Sequence, residues 1–288
     1  MDTRTVHFYS EGSKLEGEIF STGGPGRRPG IVLAHGFTGL RSLILPDYAK
    51  VFAEAGFVAL AFDYRGFGGS EGPKWRIDPL EQIDDIRNAI TFLAEQPEVD
   101  AARIGVWGTS YGGGHAPYVA AIDPRVKAAV GQVGFGDGEK FLMEVRPPER
   151  QAELRRTIAE DRRQRVLTGK GTTANAIDML GGAQTREFLG PAFETMPELR
   201  CQISWETAEK TLEYKPVQVV HRIAPRALLL IGAEHDDLCK ISQYAELCDR
   251  AGEPKKLVRL PITHYEVYAG KWLEESARLA TDWFRRHL

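Results

Sequence analysis

The residues Gly108-Thr109-Ser110-Tyr111-Gly112 have the types and spacing of a hydroxyl nucleophile set on a sharp turn. A strained strand-to-helix turn pushes such a serine outward. The positions two before and two after it must then nearly touch, so only glycine or something almost as small fits both. The flanking sequence supplies both elements: Ile104 to Trp107 is an apolar run, and Ala116 to Ile122 is compatible with a helix. A helix beginning at the serine points free N–H groups and its positive dipole end at negative charge developing there. The chemistry served by this arrangement is attack on an acyl carbon. It requires a base for the hydroxyl proton, a carboxylate to hold that base, and two donors facing the carbonyl oxygen.

The elements that must position these groups can be read from the hydrophobic pattern. Residues Thr5 to Tyr9 and Leu15 to Phe20, joined by Glu11-Gly12-Ser13, predict a hairpin. Ile31 to Ala34, Val58 to Phe62, Ile104 to Trp107, Ala128 to Val130, Ala227 to Gly232 and Lys256 to Leu260 are short runs, most of them nearly continuously apolar. Such runs predict strands covered on both faces of a parallel sheet. Helices are predicted between them over Pro46 to Ala55, Pro79 to Ala94 with Asp78 as N-cap, Ile241 to Ala251 and Lys271 to His287. Alternation of this kind predicts an α/β fold with a mostly parallel eight-stranded sheet and flanking helices. The alternation is absent from about Gly136 to His221. Residues 1–135 and 220–288 are therefore read as the core, and 136–219 as an inserted helical cap over the sheet edge where ligands of open α/β sheets bind.

With the elbow in this context, the chain resembles the α/β-hydrolase superfamily over its whole length except the cap. Ser110-Tyr111-Gly112-Gly113 is most similar to the dienelactone-hydrolase and X-prolyl-dipeptidase-like esterase branches. The resemblance implies the chain order serine, acid, histidine. His264, after the strand Lys256 to Leu260 and the turn Pro261-Ile262-Thr263, stands where the superfamily's histidine loop belongs. His221, His235 and His287 fall elsewhere in the pattern. The acid belongs in the loop Ala233-Glu234-His235-Asp236-Asp237, where Asp236 is preferred over Asp237, with Glu234 third. That register places Cys239 where the superfamily commonly has a proline. His35-Gly36-Phe37-Thr38-Gly39 is similar to the loop beside the nucleophile, which implies an oxyanion hole made from the backbone N–H groups of Phe37 and Tyr111. Phe37 has no hydroxyl, so backbone donors alone are expected, and His35 is expected to brace the loop.

Asp63-Tyr64-Arg65-Gly66-Phe67-Gly68-Gly69-Ser70 resembles a structural loop of the same superfamily, with Asp63 expected to pair with Arg65. Its glycines do not have the G-x-G-x-x-G spacing that opens a helix, so no dinucleotide cofactor is expected. No histidine, cysteine and carboxylate set has metal-ligand spacing. Cys201, Cys239 and Cys248 form no CxxC pair and suggest a reducing compartment. The net charge of −3 argues against nucleic acid as a partner. No run reaches the roughly 20 apolar residues of a membrane span, and the N-terminus lacks a signal-peptide core, so a cytoplasmic protein acting on a small molecule is expected. A homodimer is compatible with the sequence. Arg146 to Lys170 is strongly basic and reads as a solvated helix, docked by Leu154 and Ile158, or as a feature for an acidic substrate. Phe188, Phe193, Met196 and Trp205 read equally as pocket lining or as the cap's own core. The expected activity is carboxylic ester hydrolysis without a cofactor. Lactone, amide or carbon–carbon cleavage on the same residues, or ligand binding without turnover, are the alternatives.

Overall fold

The computed structural model describes residues 1–196 and 199–288. Strands β1 (Asp2–Ser10) and β2 (Ser13–Ser21) form the antiparallel hairpin, and β3 (Arg28–Ala34), β4 (Val58–Phe62), β5 (Val99–Thr109) and β6 (Val126–Gln132) follow. The last two strands of the main sheet are β9 (Ala227–Ala233) and β10 (Lys255–Leu260), giving the order β1-β2-β4-β3-β5-β6-β9-β10. All pairings from β4 to β10 are parallel. Every parallel neighbour therefore needs a crossover, and the helices α1 (Leu45–Glu54), α2 (Pro79–Ala94), α3 (Tyr111–Ile122) and α9 (Ile241–Arg250) supply four of them. Helix α2 keeps the bounds that its apolar spacing predicts, and the Asp78 side chain accepts from Leu80 N as the N-cap.

Burial on both faces explains the continuous apolar strands. Val32, Ala34, Leu228 and Leu230 join the cluster under α2, α3 and α9, whereas Ile31, Leu33, Leu229 and Ile231 join the one under α1 and α10 (Gly270–His287). Alternate residues of one strand thus feed different cores. Both edges of the sheet carry exposed charged or titratable side chains. On β1, Asp2, Arg4 and His7 face solvent, and on β10 Lys256 and Arg259 do.

Between β6 and β9 lies an insertion holding α4 (Gly138–Met143), α5 (Pro148–Thr168), α6 (Ala176–Leu180), α7 (Ala183–Thr195) and α8 (Glu206–Glu213), with the two-stranded pair β7 (Thr173–Ala174) and β8 (Ile203–Ser204). It shares the larger apolar cluster of the core through Phe141, Leu154, Met179 and Ile203 rather than building a separate one. Phe135 stacks on Phe141 at 4.4 Å, and the Tyr111 hydroxyl lies 2.7 Å from Thr211 Oγ1. Leu154 and Ile158 are buried on α5, and Gly169 ends that helix in a left-handed conformation.

One ion pair departs from expectation. Asp63 does not pair with Arg65: it accepts from Arg41 N at 2.7 Å and Arg41 Nη1 at 2.8 Å. Arg65 instead donates to Asp85 Oδ1 from Nε at 2.9 Å and from Nη2 at 2.7 Å. Residues two apart neighbour one another on one face of a regular strand, but the chain turns at Tyr64 to Phe67. That turn sends the two side chains to different partners.

Candidate active site

The site is built on the C-terminal ends of β3 and β5, the point where the strand order departs in both directions and an open α/β sheet leaves a crevice. Ser110 follows β5 with φ 54° and ψ −118°, a strained conformation for a residue bearing a side chain. Its flanking glycines are forced by contact. A Cβ on Gly108 would lie 2.0 Å from Gly112 O, and one on Gly112 would lie 2.3 Å from Ala34 O. The turn is fixed by Ser110 N donating to Gln132 O at 2.9 Å and Gly113 N donating to Ser110 O at 2.8 Å.

Ser110 Oγ lies 3.0 Å from His264 Nε2, and His264 Nδ1 lies 2.7 Å from Asp236 Oδ2. An ionised carboxylate only accepts, so Nδ1 carries the proton, and Nε2 is left to accept from the serine hydroxyl. His264 is 1% exposed and Asp236 4%. The other carboxylate oxygen, Oδ1, accepts from Leu238 N at 2.9 Å and Cys239 N at 2.7 Å. A proline at position 239 has no N–H, so the cysteine that stands there gives Asp236 a second amide donor.

The remaining carboxylates and histidines of these loops have other places. Asp237 Oδ2 accepts from Ala183 N and Gln184 N of α7 at 3.1 and 3.2 Å, and Glu234 is exposed. His287 packs its ring 4.3 Å from Trp283, while His221 and His235 are exposed. Asp236, Cys239 and His264 also bring three potential metal-ligating atoms within 4.8 Å of one another, a grouping that linear spacing did not reveal. Hydrogen bonding among Asp236, His264 and the loop amides accounts for the placement of both donors. Burial and the nearby carboxylates push the Cys239 thiol well up, which keeps it protonated.

The loop after β3 passes directly beside Ser110. A Cβ on Gly36 would lie 3.0 Å from Ser110 Cβ, and Gly39 N donates to Gly36 O at 3.1 Å, closing the turn. His35 donates from Nδ1 to Gly36 O at 2.9 Å and packs on Tyr64 at 4.3 Å. Burial pulls its pKa down, so it is a neutral brace in this loop. Phe37 and Tyr111 pack edge-to-face at 5.4 Å, which places the two residues of the expected oxyanion donors side by side next to Ser110.

A cavity of about 90 Å³ opens on Ser110. Leu43, Ile44 and Leu45 of the core line it, together with Leu180, Phe188, Leu189 and Leu199 of the insertion and Leu238, Tyr265 and Tyr268 of the loops that carry Asp236 and His264. Phe188 therefore belongs to the lining. Trp205 lines a separate surface cavity of about 500 Å³ between α5, α6 and α7, and Phe193 packs against the larger core cluster. Met196 is half-buried. No residue of the basic helix α5 lines the Ser110 cavity. Several of its arginines pair with carboxylates instead, among them Arg155 with Glu139 at 2.7 Å and Arg165 with Asp161 at 2.8 Å. Tyr265 and Tyr268 could have been suspected from their nearness to His264 in sequence. Nothing in the local pattern marked Leu43 to Leu45 or Leu199.

Fold and site define an α/β-hydrolase. The chain matches the X-Pro dipeptidyl-peptidase (S15) family over residues 13–266 and belongs to it. It is 34% identical over 291 residues to a 31.7 kDa protein of the traX-finO intergenic region of Escherichia coli, covering 99% of each chain. It is 29% identical to the thiohydrolase aneE of Aspergillus aculeatus, over 86% of this chain and 81% of that one. Among solved structures it is similar to the α/β-hydrolase GrgF from Penicillium sp. sh18, with a TM-score of 0.83, 29% identity and coverage of 100% and 99% of the two chains. Among the described residues, no helix is long and apolar enough to cross a membrane.

Proposed function

We propose that the chain is a serine hydrolase cleaving carboxylic esters of apolar acyl groups, with the insertion acting as a cap over the substrate. The observation that carries this reading is the unbroken hydrogen-bond chain from Ser110 Oγ through His264 to Asp236, set at an apolar cavity. His264 Nε2 takes the hydroxyl proton as Ser110 Oγ bonds to the acyl carbon. The carbonyl electron pair moves to oxygen, where the N–H groups of Phe37 and Tyr111 hold it. The pair returns as the bond to the leaving oxygen breaks, and that oxygen takes the proton from His264. Water, deprotonated by His264, then attacks the acyl-enzyme and frees the acid. Asp236 keeps the imidazole in its tautomer throughout. These steps require no cofactor, and the partner is a small molecule.

The lining supports an uncharged acyl group over a dipeptide. An X-Pro substrate presents an ammonium group, and the described lining of the cavity contains no aspartate or glutamate to receive it. A thioester is the second reading. It is favoured by the relative named a thiohydrolase and follows the same steps with sulfur as the leaving atom.

The test is intact mass after fluorophosphonate treatment, together with turnover of p-nitrophenyl esters and matched thioesters of increasing chain length. One adduct on the wild type and none on Ser110→Ala is expected, with turnover falling by roughly 10⁶-fold in the variant. An unlabelled but folded wild type that binds an apolar acid tightly would instead indicate a binding protein.

A further inference from the structure

We infer that Gln184 of the insertion is a positioning residue that latches α7 to both loops carrying the acid and the base, and so fixes where His264 points. The inference rests on the catalytic reading of Ser110, His264 and Asp236 proposed above. Regular pairing between β9 and β10 ends at Ala233 and Leu260, and is extended only by Glu234 N to Leu260 O at 2.8 Å and His235 N to Ile262 O at 2.9 Å. Beyond those bonds no backbone hydrogen bond among the described residues joins the two loops, and Asp236 and His264 lie in that unpaired part.

The side-chain amide of Gln184 spans that gap as a peptide group in a further rung would. Its Oε1 accepts from His264 N at 3.1 Å and Asp237 N at 3.4 Å, and its Nε2 donates to His235 O at 2.8 Å. The bond to His264 is made at the histidine's own backbone, so it fixes the point from which the imidazole swings. Asp237 returns the contact by accepting from the first two amides of α7, Ala183 N and Gln184 N. That contact favours a carboxylate at a helix N-terminus and removes Asp237 from competition with Asp236. Further along α7, Thr185 Oγ1 accepts from the Tyr265 hydroxyl at 3.2 Å, and Phe188 stacks on Tyr265 at 4.1 Å with 8° between the rings. Tyr265 directly follows His264. The docking of α7 and the geometry of the base are therefore one structural event. A displacement of about 1 Å at a catalytic group costs on the order of 10²-fold in rate, so a bond at this backbone has leverage on chemistry without touching substrate.

The test uses the full chain and Gln184→Met, which keeps length and volume but has no amide, beside Gln184→Glu, which keeps the acceptor for His264 N. Three quantities are measured: the downfield proton resonance of His264 Nδ1–H, the rate of fluorophosphonate labelling at Ser110, and kcat and KM for p-nitrophenyl acetate, whose small acyl group makes little demand on the apolar wall of the insertion for binding. In Gln184→Met, labelling and kcat are expected to fall about 10- to 100-fold with KM little changed. The resonance should shift or broaden, and Gln184→Glu should recover part of the loss. A lowered melting temperature with labelling, kcat and resonance as in wild type would overturn the inference, and so would a rise in KM alone. If Gln184→Met fails to fold, Gln184→Ser carries the same expectation. A folded wild type that is never labelled rejects the serine-hydrolase reading, yet the resonance needs no turnover and still decides the latch. A wild type without that resonance leaves nothing for Gln184 to hold and overturns it too.

Discussion

The elbow region and the insertion meet on one cavity, yet they are held by different means. From β5 through Ser110 to α3 the conformation is set by backbone: sheet register places Ala34 beside Gly108, and glycine contacts admit no side chain at 108 or 112. The insertion is held by side chains. Its longest helix, α5, buries only Leu154, Ile158 and Asp161 among 21 residues. Arg146 ties α4 to α6 by donating to the carbonyls of Leu142, Asp178, Met179 and Leu180, at 2.6 to 3.2 Å. The difference teaches that Ser110 is placed by a fold-wide constraint, whereas the wall facing it depends on a few long side chains.

The sharpest way to break the comparison lies at the loop where the two regions touch. Asp236→Asn is expected to lower kcat by about 10⁴-fold, because the amide no longer holds the histidine tautomer. Asp237→Asn should cost less than about tenfold, since it loses only charge at the N-terminus of α7. Steady-state kinetics on the two variants would sink the assignment if their order reversed. Next in size, Gly112→Ala drives a methyl into Ala34 O and should destabilise the whole fold by about 3 kcal/mol in urea melts. A variant as stable as wild type would mean that the elbow is more compliant than its contacts indicate.

On the side of the insertion, Arg146→Ala should cost about 2 kcal/mol. Limited proteolysis should then cut first near α6, with the sheet left intact. Cleavage spread evenly over the chain would erase the distinction between the regions.

The smallest effect concerns the seam. His115 on α3 lies 3.0 Å from both Gln82 Oε1 and the Tyr214 hydroxyl, and burial depresses its pKa to about 3. The unfolded chain takes up this proton near pH 6.5, so the stability that the neutral ring contributes is present above that pH. It is lost as pH falls toward 3, by at most about 1.4 kcal/mol per unit. Urea melts at pH 7 and pH 5.5 should show a smaller loss in His115→Gln than in wild type. Equal losses would remove His115 as the cause.

The same contrast explains what was legible in the sequence. Strands β3, β4, β6 and β9 were visible because burial on both faces makes each a local apolar run. Helix α2 was visible because its spacing and its Asp78 cap are local as well. The turn at Ser110 is legible because it demands glycine at fixed offsets. Asp236 was harder to choose from its neighbours, since what separates it from Asp237 is which one meets His264 and which meets α7, a contact across more than fifty residues. The loop's resemblance leads one to expect Asp63 with Arg65, two residues apart, and only the fold brings Asp85 to Arg65. Gln184 and Leu199 left no local trace for the same reason.

The charged rims of the sheet carry a consequence for how the molecule behaves in a crowd. An exposed β-edge is a template on which another chain can extend the ladder, the first step toward fibrous aggregation. Asp2, Arg4 and His7 on one rim and Lys256 and Arg259 on the other would each have to be stripped of water before a ninth strand could add. Two copies that associate are therefore expected to do so through helical faces, leaving the hydrogen-bonded sheet at eight strands.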